Sequence, residues 1–516
     1  MQKYKILWAD DEIELLKPHI LFLEQKGYHM TPVNSGSDAL EEIDHNQFDL
    51  VFLDENMPGM TGLETLNYIK STHPSLPVVM ITKNEAEEIM EEAIGAKIAD
   101  YLIKPLNPNQ ILLSVKKILD NKRIISEKTN LGYQKEFQKL AMNVMDAQDY
   151  HDWKEIYRKL VYWELQIDET EDRSMVEVLN TQKSEADGAF SDFIISNYQD
   201  WISEPDIPRP VMSHNLLKKK VFPEIGDEPV FLIVIDNLRY DQWKMIEPEI
   251  TELFTVDSEE FYYSILPTTT AYARNSLFGG MLPLEISQRY PDLWVGEDSD
   301  DGKNLHEADL LKANLARNGM DVKSSYHKIL KAEQGKQLTE SVSNLMGNPI
   351  NAIVYNFVDM LSHARTDMQM IRELAPDESA YRSLTKSWFT HSTFYDTLKA
   401  LASMKVKVMI TTDHGTIRVN KAQKIVGDKS TNTNLRYKVG RNLNFDEKSV
   451  YYTREPEKIG LPKTNLSSAF VFAKEDHFFA YPNNYNHYVR FYKDTFQHGG
   501  ISMEEVIIPF VCLSSK

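Results

Sequence analysis

Between residues 5 and 104 short apolar runs alternate with amphipathic segments, and the runs close at Asp10, Pro32, Asp54, Thr82 and Lys104. Turn residues at Gly27, Pro58-Gly59, Pro77 and Pro105 separate the units. Short continuous apolar runs bounded in this way are read as strands buried on both faces, each followed by a helix. Five such units predict a doubly wound parallel sheet.

The pattern then changes period. From 121 to 206 the strand signal is gone, and Phe137, Leu140, Ala141, Val144 and Met145 recur at helical spacing. A helical bundle connector is expected here. Trp153, Tyr157, Leu160 and Trp163 would fill its own core, with a signalling helix or a dimer contact as the rival reading. The proline-rich stretch 204–210 is the candidate linker. Beyond it, over 207–516, buried-strand runs return at 230–235, 352–357, 406–411 and 469–472 with polar clusters at their C-terminal ends. In open α/β sheets ligands bind at those ends.

A chain of 516 residues exceeds one ordinary core, which agrees with several domains. Its formal charge of −20 argues against direct DNA binding, which needs a basic footprint. The single cysteine, Cys512, allows no internal disulfide, the first ten residues lack the apolar core of a signal peptide, and no apolar run is long enough for membrane insertion. A cytoplasmic protein is expected.

Asp10 and Asp11 close the first strand, Asp54 the third, Thr82 the fourth and Lys104 the fifth. Crowded carboxylates repel unless a hard cation joins them, so Asp10, Asp11 and Asp54 are candidate Mg²⁺ ligands. Asp54 is the candidate phosphorylation site, Lys104 can pair with a phosphoryl oxygen, Thr82 can donate to another, and Tyr101 is a candidate switch aromatic. Each aspartate alone could be a turn former or helix cap; the ordered set is more specific. With Leu53-Asp54-Glu55-Asn56-Met57-Pro58-Gly59, it resembles the receiver domains of two-component response regulators. That resemblance implies a flavodoxin-like receiver domain over 1–120 with strand order 2-1-3-4-5, phosphorylation by a sensor histidine kinase, and homodimer formation on phosphorylation. Trp8 is read as packing.

Four fragments carry a second chemistry: Asp236 after an apolar run; Thr268, Thr269 and Thr270 with Arg274 and Asn275; Asp359 with His363; and Asp413-His414 with the distant His498-Gly499-Gly500. Singly, each reads as readily as a cap, a helix-surface pair or a turn. Together their carboxylates and imidazoles suit zinc, and their number suits two ions. A hydroxyl at a helix N-terminus beside two cations can act as a nucleophile, which makes Thr270 the catalytic candidate. Arg274 and Asn275 are candidate substrate-binding residues for phosphoryl oxygens.

In order and spacing the fragments resemble the alkaline phosphatase superfamily, and within it the PglZ-type branch. By that resemblance Asp359, His363 and His498 hold one Zn²⁺, while Asp236, Asp413, His414 and Thr270 hold the other. The family's Pro-Thr-x-Thr pattern selects Thr270, with Thr269 as fallback. The same resemblance implies a response regulator with an alkaline-phosphatase-like α/β output domain that acts in type IX secretion and contacts a sigma factor and a secretion-motor protein.

No extra metal cluster is evident for a phosphate dianion, so a phosphodiesterase is expected. Lys424, Lys429, Arg436, Lys438 and Arg441 could flank a nucleotide substrate, nucleotide or oligonucleotide, although a solvated loop reads the same way. The alternative is a phosphorylation-switched protein-binding adaptor with little or no catalysis.

Overall fold

The computed structural model describes residues 4–74, 76–83, 98–170, 174–204, 206–296, 302–428, 431–463, 465 and 467–516. Pro205, within the candidate linker, and Lys429 lie outside the described residues. The chain forms two compact units, residues 1–134 with 169–173, and residues 135–168 with 174–516.

In the first unit five parallel strands, β1 (Lys5–Ala9), β2 (His29–Val33), β3 (Leu50–Asp54), β4 (Val78–Thr82) and β5 (Asp100–Ile103), lie in the order β2-β1-β3-β4-β5. Successive side chains point to opposite faces. Ile6, Trp8, Phe52, Val79 and Ile81 therefore face one apolar layer, and Leu7, Ala9, Val51, Leu53 and Met80 the other. Trp8 is fully buried with its ring 4.9 Å from that of Phe52, which fits its reading as packing. Register pairs Ala9 with Leu53 and Asp54 with Ile81, so the strand ends carrying Asp10, Asp54 and Thr82 meet at one edge. Gly62 at the start of the following helix is required there, since a Cβ would lie 2.3 Å from the Asp54 carbonyl oxygen.

The second unit is built on a six-stranded sheet. β6 (Val230–Ile235), β7 (Phe254–Tyr263), β8 (Ser324–Ile329), β9 (Ile350–Tyr355), β10 (Lys407–Thr411) and the strand Ile507–Ser515 lie in the order β7, Ile507–Ser515, β10, β6, β9, β8. β10, β6, β9 and β8 are parallel, and Ile507–Ser515 is antiparallel to both neighbours. β6 and β9 are wholly buried, which explains their unbroken apolar runs. The run at 469–472 does not join them. Strand Ala469–Ala473 is the centre of a separate three-stranded antiparallel sheet with Tyr437–Gly440 and Val450–Thr453. An apolar run records burial, not which sheet buries it.

The region expected to be helical forms Asn121–Asp146, Tyr150–Asp168 and Ser174–Ser203. Its aromatics do more than fill a bundle. Trp153 packs on Phe190 with centroids 5.4 Å apart, while Tyr157 reaches Tyr240 and Phe261 of the α/β fold at 5.9 and 6.1 Å. Trp153, Tyr157 and Leu160 are buried, whereas Met145 is exposed. Among the described residues no helix is long and apolar enough to cross a membrane.

Candidate phosphoacceptor and metallophosphoesterase sites

At the first sheet edge, Lys104 Nζ lies 2.8 Å from both Asp10 Oδ2 and Asp54 Oδ1. Asp10 and Asp54 are buried, Asp11 is exposed, and one oxygen of each of the three carboxylates falls within 4.8 Å of the others. Burial raises the Asp54 pKa, against the hydrogen bond from Lys104. Burial disfavours the Lys104 ammonium, but Asp10 and Asp54 outweigh it and hold its pKa above the ordinary lysine value. One lysine cannot balance three carboxylates, and an oxygen-only donor set of this kind fits Mg²⁺.

Two other predicted residues differ in detail. The Thr82 hydroxyl donates to the buried Glu55 carboxylate, a partner the sequence did not single out. Tyr101 is half-buried against the layer containing Leu53 and Met80.

The second site lies beyond the ends of β6, β9 and β10. Asp236 follows β6 and is fully buried; Asp413 and His414 follow β10 and are fully buried. Asp359 and His363 are one turn apart on helix Phe357–Asp367, with His363 Nε2 3.5 Å from Asp359 Oδ1. His498 Nε2 lies 3.6 Å from the same oxygen. Ring centroids of His414 and His498 are 4.4 Å apart. Two tight donor groups result, Asp359-His363-His498 and Asp236-Asp413-His414, each with its ligand atoms within 4.8 Å.

The imidazole hydrogen bonds decide which nitrogens remain available. His414 Nδ1 faces the Gly415 carbonyl at 3.1 Å, and His498 Nδ1 faces the Thr268 carbonyl at 3.3 Å. A carbonyl only accepts, so each Nδ1 carries a proton, and in the neutral imidazole each Nε2 is left with its lone pair. Both lone pairs then face carboxylates. Asp359 and Asp413 have pKa values raised by burial and by the nearby Asp236, and Asp413 Oδ2 is buried with no hydrogen-bond partner. Lone pairs and carboxylates aimed at each other repel unless a cation sits among them, so this donor set fits zinc.

Thr270 begins a wide turn, Thr270–Arg274, that runs into helix Asn275–Gly279. Its Oγ1 lies 3.3 Å from Asp236 Oδ1 and 3.1 Å from His414 Nε2. The three threonines have separate surroundings. Thr268 Oγ1 donates to the Gly500 carbonyl and accepts from the Gly499 amide, both at 3.0 Å. Thr269 is buried with its methyl against Gly499. Gly499 is at φ 121°, and a Cβ there would meet the Tyr437 ring at 2.7 Å. Thr270 is the one that reaches the acidic cluster.

Arg274 and Asn275 sit differently from the expectation that they hold phosphoryl oxygens. Arg274 is 1% exposed, with Nη1 2.7 Å from Asp236 and Nε 2.5 Å from Glu307. Its charge is committed to these two buried carboxylates, with a third, Asp413 Oδ2, 3.8 Å from Nη1. Asn275 is also buried, and its amide donates to the Ala271 and Lys303 carbonyls. The basic stretch is likewise divided: Arg436 is buried against Glu505 and Lys438 is buried, while Lys424 and Arg441 are exposed.

Several site residues were not legible as such. Asn237, at φ 66°, donates to Asp359 Oδ1 and Ser362 Oγ at 3.4 and 3.2 Å. Asn356 donates to Asp236 Oδ2 at 2.8 Å, and Asn304 to the Thr270 carbonyl at 2.8 Å. Asn237 and Asn356 each follow a buried strand, which was their one signal, and at Asn237 asparagine also tolerates the left-handed conformation.

Family models match three successive parts of the chain. The family model for the BREX system PglZ alkaline phosphatase-like domain matches residues 216–513, more than half of the chain. The PorX response regulator linker domain matches 123–202, and the response regulator receiver domain matches 6–116. A similar curated protein is the transcriptional regulatory protein ZraR of Escherichia coli O157:H7, 36% identical over 124 residues, 24% of this chain and 28% of that one. The alginate biosynthesis transcriptional regulatory protein AlgB of Pseudomonas putida is 34% identical over 120 residues, 23% of this chain and 27% of that one. The chain thus spans little more than a quarter of the length of these relatives. Among solved structures, the receiver domain of NtrX from Brucella abortus is 32% identical, with 22% of this chain and 98% of that chain covered and a TM-score of 0.22. A CheY-like receiver from Methanospirillum hungatei JF-1 is 28% identical, with 23% and 96% covered and a TM-score of 0.23.

Proposed function

The chain belongs to the PglZ alkaline phosphatase-like family, and from that premise we propose that it is a response regulator whose output domain is a zinc-dependent phosphodiesterase with Thr270 as nucleophile. The observation that carries the reading is the Thr270 hydroxyl, set between Asp236 Oδ1 and His414 Nε2. Asp359, His363 and His498 would hold one zinc and Asp236, Asp413, His414 and Thr270 a second, and such ions lower a hydroxyl pKa and screen phosphate charge.

The chain's own residues account for the rest. Asn356 and Asn237 fix the orientations of Asp236 and Asp359. The Asn304 bond to the Thr270 carbonyl and the Thr268 bonds to the Gly499-Gly500 backbone hold the nucleophile and His498 in register. Thr270 Oγ forms the new bond to phosphorus as the ester oxygen departs with a proton, and water then cleaves the phosphothreonine.

A diester is favoured because Arg274 is committed to Asp236 and Glu307 and does not meet the second charge of a monoester dianion. Lys424 and Arg441 are exposed cations of the basic stretch and would meet a nucleotide or oligonucleotide substrate. Input is phosphorylation of Asp54 by a sensor histidine kinase with Mg²⁺ at Asp10, Asp11 and Asp54. The output includes homodimer formation and, by family, contacts with a sigma factor and a secretion-motor protein in type IX secretion.

The test is to measure bound zinc and then hydrolysis of bis(p-nitrophenyl) phosphate and p-nitrophenyl phosphate by wild type and Thr270→Ala. Wild-type cleavage of the diester, lost in the variant, is expected. Zinc bound with no difference between the two proteins would leave the adaptor reading in its place.

A further inference from the structure

Three of the stretches that hold the candidate chemistry, those of Thr270, His498 and Asp236, are fixed by polar groups on the two helices that precede the α/β fold. The Leu266 amide, four residues before Thr270, donates to the Tyr198 hydroxyl at 2.8 Å. Beyond His498, the Ser191 hydroxyl donates to the Ile501 carbonyl at 3.3 Å, and the Met503 amide donates to Asp187 Oδ1 at 2.9 Å. Lys183 Nζ meets Glu504 Oε1 at 3.3 Å. The stretch after Asp236 is held through a relay: Glu164 pairs with Arg382 at 2.7 Å, Arg382 with Asp241 at 2.9 Å, and Asp241 accepts from Arg239 Nε at 2.9 Å. The Arg239 guanidinium in turn lies 5.4 Å over the ring of Phe496, two residues before His498.

These contacts have a common geometry. Asp187, Ser191 and Tyr198 are separated by four and seven residues on helix Ser174–Ser203, so they form one stripe on one face. All three are buried, at 5%, 0% and 2% exposure. An apolar seam would have docked this helix without specifying its register along the site. Side chains that bind backbone N–H and C=O groups fix the chain to a fraction of an ångström, because a buried amide has no alternative partner in water. The Trp153, Phe190 and Tyr263 aromatics supply the adhesion around the stripe.

We propose that Tyr198 and Asp187, with Glu164 acting through Arg382 and Asp241, are positioning residues that set Thr270, His498 and Asp236 against one another, so that the connector helices are a working part of the catalytic centre. This rests on the phosphodiesterase reading for its effect on turnover, but not for its effect on geometry. Small displacements of a nucleophile or ligand lower the rate of the chemical step more than they weaken ground-state binding.

The experiment compares full-length, zinc-loaded wild type with Tyr198→Phe, Asp187→Leu and Asp187→Asn. Tyr198→Phe keeps the ring and removes the acceptor; Asp187→Asn keeps an acceptor oxygen that Asp187→Leu removes. For Tyr198→Phe and Asp187→Leu, a fall in kcat on the chromogenic diester of about ten- to a hundred-fold is expected, with KM changed by less than about threefold. Hydrogen exchange should accelerate across 266–275 in Tyr198→Phe and across 498–506 in Asp187→Leu. The latter should also lose one zinc more readily to a chelator, and Asp187→Asn should behave as wild type. Exchange changes confined to the Leu266 or Met503 amide, with zinc retention unchanged, would overturn the proposal. Should wild type cleave no ester, the phosphodiesterase reading falls while exchange and zinc retention still decide the positioning. Should Tyr198→Phe not fold, the Asp187 pair carries the same decision.

Discussion

His414 Nε2 lies 3.1 Å from the Thr270 hydroxyl oxygen while its Nδ1 faces the Gly415 carbonyl. The backbone contact fixes a proton on Nδ1, so in the neutral imidazole it is the Nε2 lone pair that meets the candidate nucleophile. A group held in this way can ligate a metal or receive the hydroxyl proton without rotating. Thr270→Ala should therefore lower kcat/KM for a phosphodiester by about 10³-fold or more, whereas Thr270→Ser should retain a measurable rate. Steady-state assays with zinc content matched between proteins check this; an Ala variant as fast as wild type would exclude Thr270 as nucleophile.

Arg274 offers a second test, because its role here is to balance Asp236 and Glu307. Arg274→Met would leave two buried carboxylates short of their cation, and loss of one partner from such a group costs about 3–5 kcal/mol. Urea unfolding should register that loss, and the added change Glu307→Gln should recover part of it. A substrate-binding arginine would behave in the opposite sense, with stability unchanged and KM raised.

The contrast between Arg274 and Thr270 shows where the sequence was legible. Residues at the ends of buried strands could be placed because an unbroken apolar run fixes where the chain leaves the sheet, and Asp54, Asp236 and Asp413 all follow such runs. Five alternating units pointed to a parallel sheet, whereas its order 2-1-3-4-5 was implied by the receiver resemblance. Direction within a helix was not legible. Arg274 lies four residues after Thr270, yet it turns into the core because Glu307, thirty-three positions along, supplies a carboxylate no local pattern reveals. Edge strands were lost for a related reason: β7 alternates irregularly between exposed and buried positions, and its partner at 507–515 is distant in sequence.

At the receiver site the prediction concerns assembly. Lys104 joins Asp10 to Asp54, so a phosphoryl group on Asp54 would compete for that lysine. Beryllofluoride with Mg²⁺ should raise the dimer fraction of wild type in sedimentation velocity and leave Asp54→Ala unaltered. An identical response in both proteins would separate Asp54 from assembly.

Acid sensitivity should have a contributor outside both sites. His214 is held in the fold with no hydrogen-bond partner on Nδ1, and burial, followed by the charges of Arg209 and Lys219, pushes its pKa down to about 4. An exposed imidazole titrates near 6.5, so between roughly pH 6.5 and 4 the unfolded chain binds a proton that the folded chain refuses. The neutral side chain thus contributes its full share of stability above about pH 6.5, and that share is lost as the pH falls toward 4, up to about 2–3 kcal/mol. Urea midpoints followed by tryptophan fluorescence at pH 7, 6 and 5 should fall more steeply for wild type than for His214→Gln. The expected slope has one sign only, since a protonated imidazole beside Arg209 and Lys219 gains nothing from the fold; parallel curves for the two proteins would show that His214 titrates alike in both states.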